Sequence, residues 1–456
     1  MNEKNKTMIF IGATIVLVVL AFVTAPRKIT PNSFLEQGEL FFPDFTDPNA
    51  AKTLEVIDYD ENTGSAQPFK ITFSKGKWTI PSHYNYPADA QDRLAKTAAG
   101  VIGIKKDDFR SDNSADHEAF GVVDPLDETA VSLTGRGQRV TVKGDNDIIL
   151  ADFIVGKKVE ARENIRFVRI PGQKRVYAVR MDIDISTKFS DWIETDLLKI
   201  LKSDINRVIL KDYSINERTR QVNERDVLSL DKKDDIWQAD RMTSEQEVDD
   251  TKMNELLTAL DNLSIVGVRP KPAGLTQSLQ KAAGDISVLQ SDALSLQSKG
   301  YFFSNDGRLL SNEGELQACT NDGVTYTLRF GEIVYGTGEA VTAGTDTTVS
   351  ESSAPGENRY LFITTSFNED YFKEPGKPEN TDFFAKADSL WTDEDRKNKE
   401  LNDAYEEWIG KVENGRKISQ DLNAHFAEWY YVISADSFEN LHLTRKDLVK
   451  EKEKEK

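Results

Sequence analysis

The sequence predicts an α+β protein: an N-terminal transmembrane helix, two tandem repeated α+β modules and a C-terminal helical hairpin. Each module is expected to hold a mostly antiparallel sheet with one main helix. Three observations support this prediction. One uncharged apolar run covers residues 8–25, one succession of strands and a helix occurs twice after it, and helical spacing dominates the last part of the chain.

The apolar run at 8–25 is long enough to cross a membrane. At about 1.5 Å per residue, this run spans ~27 Å as a helix, close to the ~30 Å hydrocarbon core of a bilayer. Its last three residues, Val-Thr-Ala, are similar to a signal-peptide cleavage site, but Pro26 follows directly and should obstruct cleavage. We therefore expect an uncleaved anchor, with a short tail over 1–7 and a linker over 26–50.

The charges that flank the anchor decide its orientation only narrowly. Lys4 and Lys6 precede it, while Arg27 and Lys28 follow it, so the positive-inside rule gives a near tie. The terminal amine adds a positive charge to the short side, and large domains are translocated largely regardless of their acidic residues. We expect a single-pass protein with its C-terminal bulk outside the cytoplasm. In a bacterial host this is the inner (cytoplasmic) membrane, with the bulk in the periplasm.

Composition narrows the classes of partner. The net charge is −19 and the pI is near 4.9, which disfavours nucleic acid because phosphate binding relies on Lys and Arg. The same acidity disfavours binding flat on an anionic lipid surface. Cys319 is the single cysteine, so an internal disulfide is excluded, and a small buried apolar side chain is its expected role. The lipid bilayer around 8–25 is the expected lipid contact.

One pattern of elements occurs twice after the anchor. It predicts module 1 over 51–203 and module 2 over 204–370, with a chance succession of elements as the alternative. The shared features, in the first and second module, are a strand ending in Asp-Tyr (54–59, 208–213), a tryptophan after a Lys-rich turn (Trp78, Trp237), a helix that ends near glycine (Gly103, Gly267), and a later strand that runs into glycine (Gly156, Gly331).

The remaining segments are connections and helices. The apolar spacing over 189–201 predicts a helix that closes module 1. Residues 336–358 are rich in Gly, Thr and Ser and predict a solvated excursion, with a partner contact as the alternative. The region over 371–449 is predicted to be helical. Two amphipathic stretches, at 401–412 and 422–433, are separated by Asn414-Gly415 and predict the hairpin, and 450–456 should be a solvated charged tail.

Motifs for chemistry are weak. Ala151–Lys158 has the Gly-Lys of a phosphate loop but lacks its first glycine and closing Ser or Thr, so a strand ending in a basic turn is favoured. The remaining candidates are a polar cluster, two carboxylate pairs and scattered histidines, for which exposed or solvated positions are favoured. They are Asp112, Asp116, His117 and Glu118; Asp58 with Asp60; Asp182 with Asp184; and His83, His425 and His442.

The sequence therefore predicts no catalytic, cofactor-binding or metal residue and no cofactor. A hydrolase that uses a carboxylate pair is the least supported function, because no partner histidine or apolar pocket can be identified to separate the two pKa values.

Several segments together resemble a bacterial domain-of-unknown-function family, number 4340. They are the anchor, Phe41-Phe42-Pro43-Asp44-Phe45, the repeated strand-Trp-helix-Gly modules and Phe426-Ala427-Glu428-Trp429-Tyr430-Tyr431. The resemblance implies a bacterial membrane-anchored accessory protein, because such proteins are often encoded beside gliding-motility-type ABC-transporter components. It implies integral-membrane or ABC-transporter-like subunits as partners, and it assigns no functional residue.

Two functions are consistent with these features. The first is a non-enzymatic accessory or scaffold protein of an envelope complex, of the ABC-transporter-associated kind that the resemblance implies. The alternative is an extracytoplasmic module that binds a glycan or lipid in a cleft between the repeats.

Overall fold

The computed structural model describes residues 14–18, 36–130, 132–160, 162–183, 185–216, 221–281, 290–304, 307–335, 339–344 and 357–452. In this part of the chain the protein is a mixed α+β structure with antiparallel sheets and a long helix near its C-terminus. The chain divides into two compact units. The first comprises Met1–Lys70 and Gln91–Ile185, and the second comprises Ile71–Ala90 and Ser186–Lys456.

Among the described residues between 36 and 185, the elements are nine strands, two α-helices and several 3-10 turns. The helices are α1 (Gln91–Ile102) and α2 (His117–Phe120). The strands are β1 (Thr53–Asp60), β2 (Ser65–Ser74), β3 (Lys77–Ile80), β4 (Tyr86–Pro87), β5 (Asp108–Ser111), β6 (Gln138–Lys143), β7 (Ile149–Val159), β8 (Arg162–Arg169) and β9 (Val176–Arg180).

The sheet of the first unit has the strand order β2-β1-β6-β7-β8-β9-β5. Alternating apolar residues set its register, since Val56 pairs with Val140 and both are fully buried. Helix α1 contributes Leu94 and Val101, which are also buried, to the core. The later part of the predicted linker 26–50 packs on this unit, because Phe41 and Phe45 are buried there.

The second unit contains more strands and a longer helix. Its helices are α3 (Asp250–Asp261), α4 (Ala273–Lys281), α5 (Gln290–Gln297), α6 (Glu339–Thr342), α7 (Asp393–Phe426), α8 (Ala435–Leu441) and α9 (Arg445–Leu448). Its further strands are β10 (Ile205–Asn216), β11 (Gln221–Lys233), β12 (Ile236–Ala239), β13 (Gln246–Val248), β14 (Gly267–Pro270), β15 (Tyr301–Phe303), β16 (Leu309–Ser311), β17 (Glu315–Thr320), β18 (Val324–Ile333), β19 (Arg359–Phe367), β20 (Trp429–Ile433) and β21 (Val449–Glu451).

The main sheet of the second unit has the order β12-β11-β10-β17-β18-β19-β20-β14. From β11 to β14, each strand in this order corresponds to one strand of the first unit. The correspondence is β11 to β2, β10 to β1, β17 to β6, β18 to β7, β19 to β8, β20 to β9 and β14 to β5. Strand β2 turns back into β3, which carries Trp78, and strand β11 turns back into β12, which carries Trp237. The pairs β13-β21 and β15-β16 form two small additional sheets.

The prediction of a C-terminal helical hairpin is wrong. Residues 393–426 form one continuous helix, α7, which passes through Asn414 and Gly415 without a break. A glycine inside a helix costs only about 1 kcal/mol relative to alanine, and packing can favour it. A Cβ at Gly415 would lie 2.3 Å from Cε2 of Phe367 and 2.6 Å from the carbonyl oxygen of Asp322. Gly415 therefore allows close packing on the sheet rather than ending the helix.

The second helix of the predicted hairpin ends early, and the predicted closing helix is reduced to one turn. Trp429–Ile433 is the buried strand β20, because five consecutive aromatic and β-branched residues favour a strand covered on both faces. In the segment 189–201, only Phe189–Trp192 is helical, as a 3-10 turn. The charged tail begins as β21, whose Lys450 pairs with Glu247 of β13, and only 453–456 lie outside the described residues.

The predicted membrane anchor lies mostly outside the described residues. Residues 14–18, which belong to it, are helical. Among the helices that the structure describes, none combines the length and the apolar character that a bilayer crossing requires. Of the predicted excursion 336–358, only 339–344 and 357–358 are described. There, Val341 and Ala343 are buried, so this part is packed rather than solvated.

Candidate binding pocket in the first unit

An open pocket of about 430 Å³ lies on the sheet of the first unit. It is lined by residues at the end of β1, the start of β6, the middle of β7, β8 and the segment after β9. The side chains include three cations, one carboxylate and a short apolar wall. These are Arg136, Lys157 and Arg166; Asp58; and Met181, Ile183 and Ile185. The volume falls in the range of ~300–1,000 Å³ that is usual for small-molecule sites.

Glycines form the floor of the pocket because the backbone segments approach closely there. A Cβ at Gly156 of β7 would lie 2.5 Å from the carbonyl oxygen of Phe120. Gly121 follows with a φ of +68°, a conformation that glycine adopts readily. A Cβ at Gly137 would lie 2.7 Å from the carbonyl oxygen of Gly121. Three glycines thus let the 120–122 loop rest directly on β6 and β7.

The cationic side chains are held at this floor by backbone carbonyls. An Nη1 of Arg166 donates a hydrogen bond to the carbonyl of Gly156 at 3.2 Å, and Nζ of Lys157 donates to that of Ala119 at 3.3 Å. A carbonyl dipole orients a guanidinium or ammonium group without neutralising its charge, so both cations remain available to an anion.

The other two charged side chains are more firmly held. Arg136 donates from Nη1 to the carbonyl of Asp124 at 3.1 Å, and its guanidinium carbon lies 4.5 Å from the centre of the Tyr59 ring. The Asp58 carboxylate accepts a hydrogen bond from the amide of Gln138 at 2.8 Å. Asp58 therefore presents an oriented acceptor next to the cations.

The strand registers identify the counterpart of Arg166 in the second unit. Val155 pairs with Val168 in the first unit, and Phe330 pairs with Leu361 in the second. Gly156 follows Val155, and Gly331 follows Phe330. Arg166 lies two positions before Val168, and Arg359 lies two positions before Leu361. Nη1 of Arg359 donates to the carbonyl of Gly331 at 3.3 Å, so both units contain the same hydrogen bond.

The loop beneath this arginine is equivalent as well. A Cβ at Gly331 would lie 2.2 Å from the carbonyl oxygen of Lys299, and the next residue, Gly300, has a φ of +81°. Gly156, Phe120 and Gly121 have the same relationship in the first unit. The glycine that ends each repeated strand therefore has one physical role, which is to admit a loop carbonyl.

In the second unit the equivalent place is filled by the protein itself. The cavity there is only about 10 Å³, and Leu441, His442 and Leu443 form part of its wall. Arg359 is 8% exposed, and its guanidinium carbon lies 4.4 Å from the centre of the Phe438 ring of α8. Helix α8 and the residues after it thus cover the arginine that remains accessible in the first unit.

A carboxylate balances the charge of Arg359. Oε1 of Glu313 lies 3.5 Å from its Nη1. The registers also locate the residue of the first unit that corresponds to Glu313. Val140 pairs with Phe153, which lies three residues before Gly156. Leu316 pairs with Leu328, which lies three residues before Gly331. Counting back three residues from Val140 and Leu316 gives Gly137 and Glu313. The first unit therefore has a glycine where the second has the acidic partner.

Strongly shifted ionisable groups lie in the packed interior of the second unit. Lys271 is 6% exposed, its Nζ donates to the carbonyl of Phe426 at 2.8 Å, and burial lowers its pKa well below the ordinary value. Burial also lowers the pKa of His83 to about 4. The His83 ring stacks on the Phe189 ring, with 4.4 Å between the two ring centres. These contacts indicate structural roles.

The carboxylate pairs predicted from the sequence separate in the structure. Asp58 lines the pocket, whereas Asp60 accepts a hydrogen bond from the backbone N–H of Asn62 at 2.9 Å, which lowers the pKa of Asp60. Asp182 is exposed, and Asp184 lies outside the described residues. Neither pair therefore gives two carboxylates in one described cleft.

The polar cluster near residue 112 likewise has separate partners. Asp116 accepts from the hydroxyl of Ser111, a ring nitrogen of His117 contacts the carbonyl of Lys174 at 2.9 Å, and Glu118 accepts from Ser132 at 2.7 Å. Asp112 takes part in another interaction of the chain. Within the described residues, no group of His, Cys, Asp and Glu side chains has a geometry that could hold a metal ion.

The remaining candidates have packing roles. The rings of His425 and His442 contact Phe426 and Phe438, and burial lowers the pKa of both histidines. Cys319 lies in β17, where its sulfur accepts from the hydroxyl of Thr325 and burial raises its pKa.

The pocket was not predicted from the sequence, although one signal for it existed. Ala151–Lys158 lies within β7, so its Gly-Lys pair is part of a strand, and both residues line the pocket. The repeated sequence pattern continues past each glycine into one more strand-like segment, 167–170 in the first module and 360–363 in the second, and an arginine precedes each of them. Extending the alignment by one residue would have identified Arg166 and Arg359.

The fold and the pocket define a class: an α+β protein of two antiparallel-sheet units with a ligand-sized pocket in the first. Residues 78–278 match the model of the family described as Domain of unknown function (DUF4340). No curated protein and no solved structure matched the chain.

Proposed function

We propose that the protein is a membrane-anchored, non-enzymatic accessory or scaffold protein of a bacterial envelope complex, with its folded part outside the cytoplasm. The observation that carries this proposal is the uncharged run 8–25 ahead of two folded units. Its length fits a single bilayer crossing, and residues 14–18 of the run are helical. The acidic composition favours protein partners over nucleic acid.

Fractionation of cells that express the full-length protein tests the anchor. The protein should remain in the membrane pellet after alkaline carbonate extraction, and protease added to spheroplasts should digest its folded part. Val16→Lys places a charge in the middle of the run, at a cost of about 2.5–3.5 kcal/mol, and should release the protein, whereas Val16→Leu should not. Mature protein that begins after Ala25 and is recovered in the soluble fraction would refute the anchor.

We further propose that the two units are copies of one α+β module. The matching strand order and the shared arginine–glycine hydrogen bond support this proposal. A duplicated module enlarges the surface available to partners without requiring a new fold. Binding in such a protein can become restricted to one copy while the other is stabilised internally.

The proposed partners are integral-membrane subunits of an ABC-transporter-like complex, as the family resemblance implies. Crosslinking in native membranes, followed by purification of the full-length protein, should recover such subunits in stoichiometric amounts. The Val16→Lys variant serves as the control, because a protein released from the membrane should lose them. Recovery of the wild-type protein alone, monodisperse in mild detergent, would count against this function.

The second candidate function is an extracytoplasmic ligand-binding module, and the pocket of the first unit favours it. The pocket lies within one unit, on residues of β1, β6, β7 and β8. Envelope glycan fragments should raise the melting temperature of the full-length protein, since a ligand that binds the folded state stabilises it. The absence of a shift with every fragment would count against ligand binding.

A further inference from the structure

We propose that the pocket of the first unit binds a sugar that carries an acidic group, a carboxylate or a phosphate, which pairs with Arg166 and Lys157. This inference rests on the second candidate function, that the pocket is a binding site, and it adds the chemical class of the ligand. It is independent of the membrane anchor and of any protein partner.

The second unit shows which group pairs with the equivalent arginine, Arg359. Arg359 is paired with Glu313 at 3.5 Å and covered by Phe438. The first unit retains the arginine and its glycine contact but has Gly137 at the position of the carboxylate. Among the described residues no carboxylate takes the position of Glu313 in the first unit, and an acidic group from a ligand would occupy it. A guanidinium binds carboxylate or phosphate through two parallel hydrogen bonds.

The residue beside the repeated glycine supplies the second argument. Lys157 follows Gly156, whereas Glu332 follows Gly331, so the charge at this position is opposite in the two units. The Glu332 carboxylate accepts a hydrogen bond from Asn312. The first unit thus concentrates positive charge where the second contains acidic side chains, in a chain whose overall charge is −19.

The remaining lining indicates that the acidic group is part of a sugar. The Asp58 carboxylate and the Gln138 amide, joined at 2.8 Å, can accept and donate hydrogen bonds to hydroxyl groups. Met181, Ile183 and Ile185 form an apolar wall of the pocket. One face of a pyranose ring is apolar and its rim carries hydroxyl groups, so a monosaccharide acid matches each part of the 430 Å³ space.

Binding to the full-length protein in detergent, measured by isothermal titration calorimetry, tests the proposal. The probes are glucuronate, glucose 6-phosphate and uncharged glucose. We expect at least one acidic probe to bind at least tenfold more tightly than glucose, with an affinity that falls as salt is added. The two acidic probes distinguish a carboxylate from a phosphate as the preferred group.

Three variants locate the binding. Lys157→Glu introduces the residue of the second unit at an exposed position, and Arg166→Ala removes the guanidinium, so each should weaken binding of the acidic probe at least tenfold. Arg166→Lys keeps the charge without the planar fork and should give an intermediate affinity. Lys96→Glu makes the same charge change at an exposed residue of α1, which does not line the pocket, and should bind as the wild type does.

Several results would overturn the proposal. They are an absence of binding by both acidic probes, equal binding of glucose, wild-type affinity in Lys157→Glu, and an equal loss in Lys96→Glu. If Arg166→Ala fails to fold, the comparison of Lys157→Glu with Lys96→Glu still decides the outcome. Failure here leaves the crosslinking result untouched, so the ligand class and the accessory role are tested separately.

Discussion

Arg166 and Arg359 occupy the same register position in the two units and donate the same hydrogen bond, to the carbonyl of Gly156 at 3.2 Å and of Gly331 at 3.3 Å. One arginine faces an open pocket, and the other is covered by Phe438. The same backbone arrangement therefore serves two purposes. In the second unit it is part of the folded core, and in the first it is available to a ligand.

The pair formed by Arg359 and Glu313 should stabilise the second unit. Glu313→Gln leaves a buried guanidinium with a weaker partner, because an amide carries no charge. Loss of one partner of a buried pair costs about 3–5 kcal/mol, and an exposed pair contributes about 0–1 kcal/mol. The side chains of Arg359 and Glu313 are 9% and 33% exposed, so we expect a loss of about 1–2 kcal/mol in urea unfolding.

Glu357 provides the matched control for this measurement. Its carboxylate lies 3.6 Å from the same guanidinium, but its side chain is 68% exposed. Glu357→Gln should therefore change the free energy of unfolding by less than about 0.5 kcal/mol. Equal effects of the two substitutions would show that burial does not distinguish the two carboxylates.

Two glycines of α7 should respond oppositely to alanine. At Gly415 a Cβ would lie 2.3 Å from Cε2 of Phe367, so Gly415→Ala should destabilise the protein by about 1–3 kcal/mol through overpacking. At Gly410 nothing lies within 4 Å of an added Cβ, so Gly410→Ala should stabilise the helix by up to about 1 kcal/mol. Thermal unfolding of both variants measures this difference, and a stabilising Gly415→Ala would contradict the packing.

The contrast at α7 also shows how far the sequence predicts the fold. Several strands of both units and the helices α1 and α3 follow from alternating and helical spacing, and Trp78 and Trp237 occur in matching strands. Gly415 was interpreted as a helix end because local conformational preference is the only information that one position supplies. Its contact with Phe367 joins residues 48 positions apart, and such contacts depend on tertiary packing.

The pocket was missed for a related reason. Arg166, Lys157 and Asp58 are separated along the chain and meet only because β1, β6, β7 and β8 are neighbours in the sheet. No spacing rule predicts that three glycines will bring a loop against these strands. The repeat contained the relevant comparison, but the charge difference at the position after each repeated glycine becomes informative only when the registers are known.

Buried Lys271 should make the stability of the second unit depend on alkaline pH. Burial lowers its pKa well below the ordinary value near 10.5, so the unfolded chain binds this proton more readily than the folded protein does. Stability should therefore rise with pH up to about 10.5, by at most about 1.4 kcal/mol per pH unit from this residue. Lys271→Met should abolish this part of the rise.

The measurement is urea unfolding of the wild type and Lys271→Met at pH 7 and pH 9.5. The wild type should gain stability relative to the variant as the pH is raised, because the cost of deprotonating the folded lysine decreases. Lys252→Met, at an exposed position of α3, is the control for loss of an ammonium group. A difference that stays constant with pH would show that Lys271 has an ordinary pKa.

His83 should produce a loss of stability in acid. Its pKa is about 4 in the folded protein, against an ordinary value near 6.5, because the ring is buried. Its contribution is complete above pH 6.5 and is lost as the pH falls toward 4, by about 3 kcal/mol in total. His83→Gln should remove this loss, as measured by urea unfolding at pH 7 and pH 4.5, whereas the partly exposed His117→Gln should change it little. Parallel pH profiles for wild type and His83→Gln would contradict the assignment.

In our proposal the first unit takes from a ligand the acidic group that the second unit supplies from its own chain. A crystal structure of the full-length protein with glucuronate tests it most directly. We expect the ligand carboxylate to lie against the guanidinium of Arg166, close to Lys157, with Arg359 still paired to Glu313. An empty pocket at Arg166, or a ligand bound at Arg359 with residues 441–443 displaced, would contradict it.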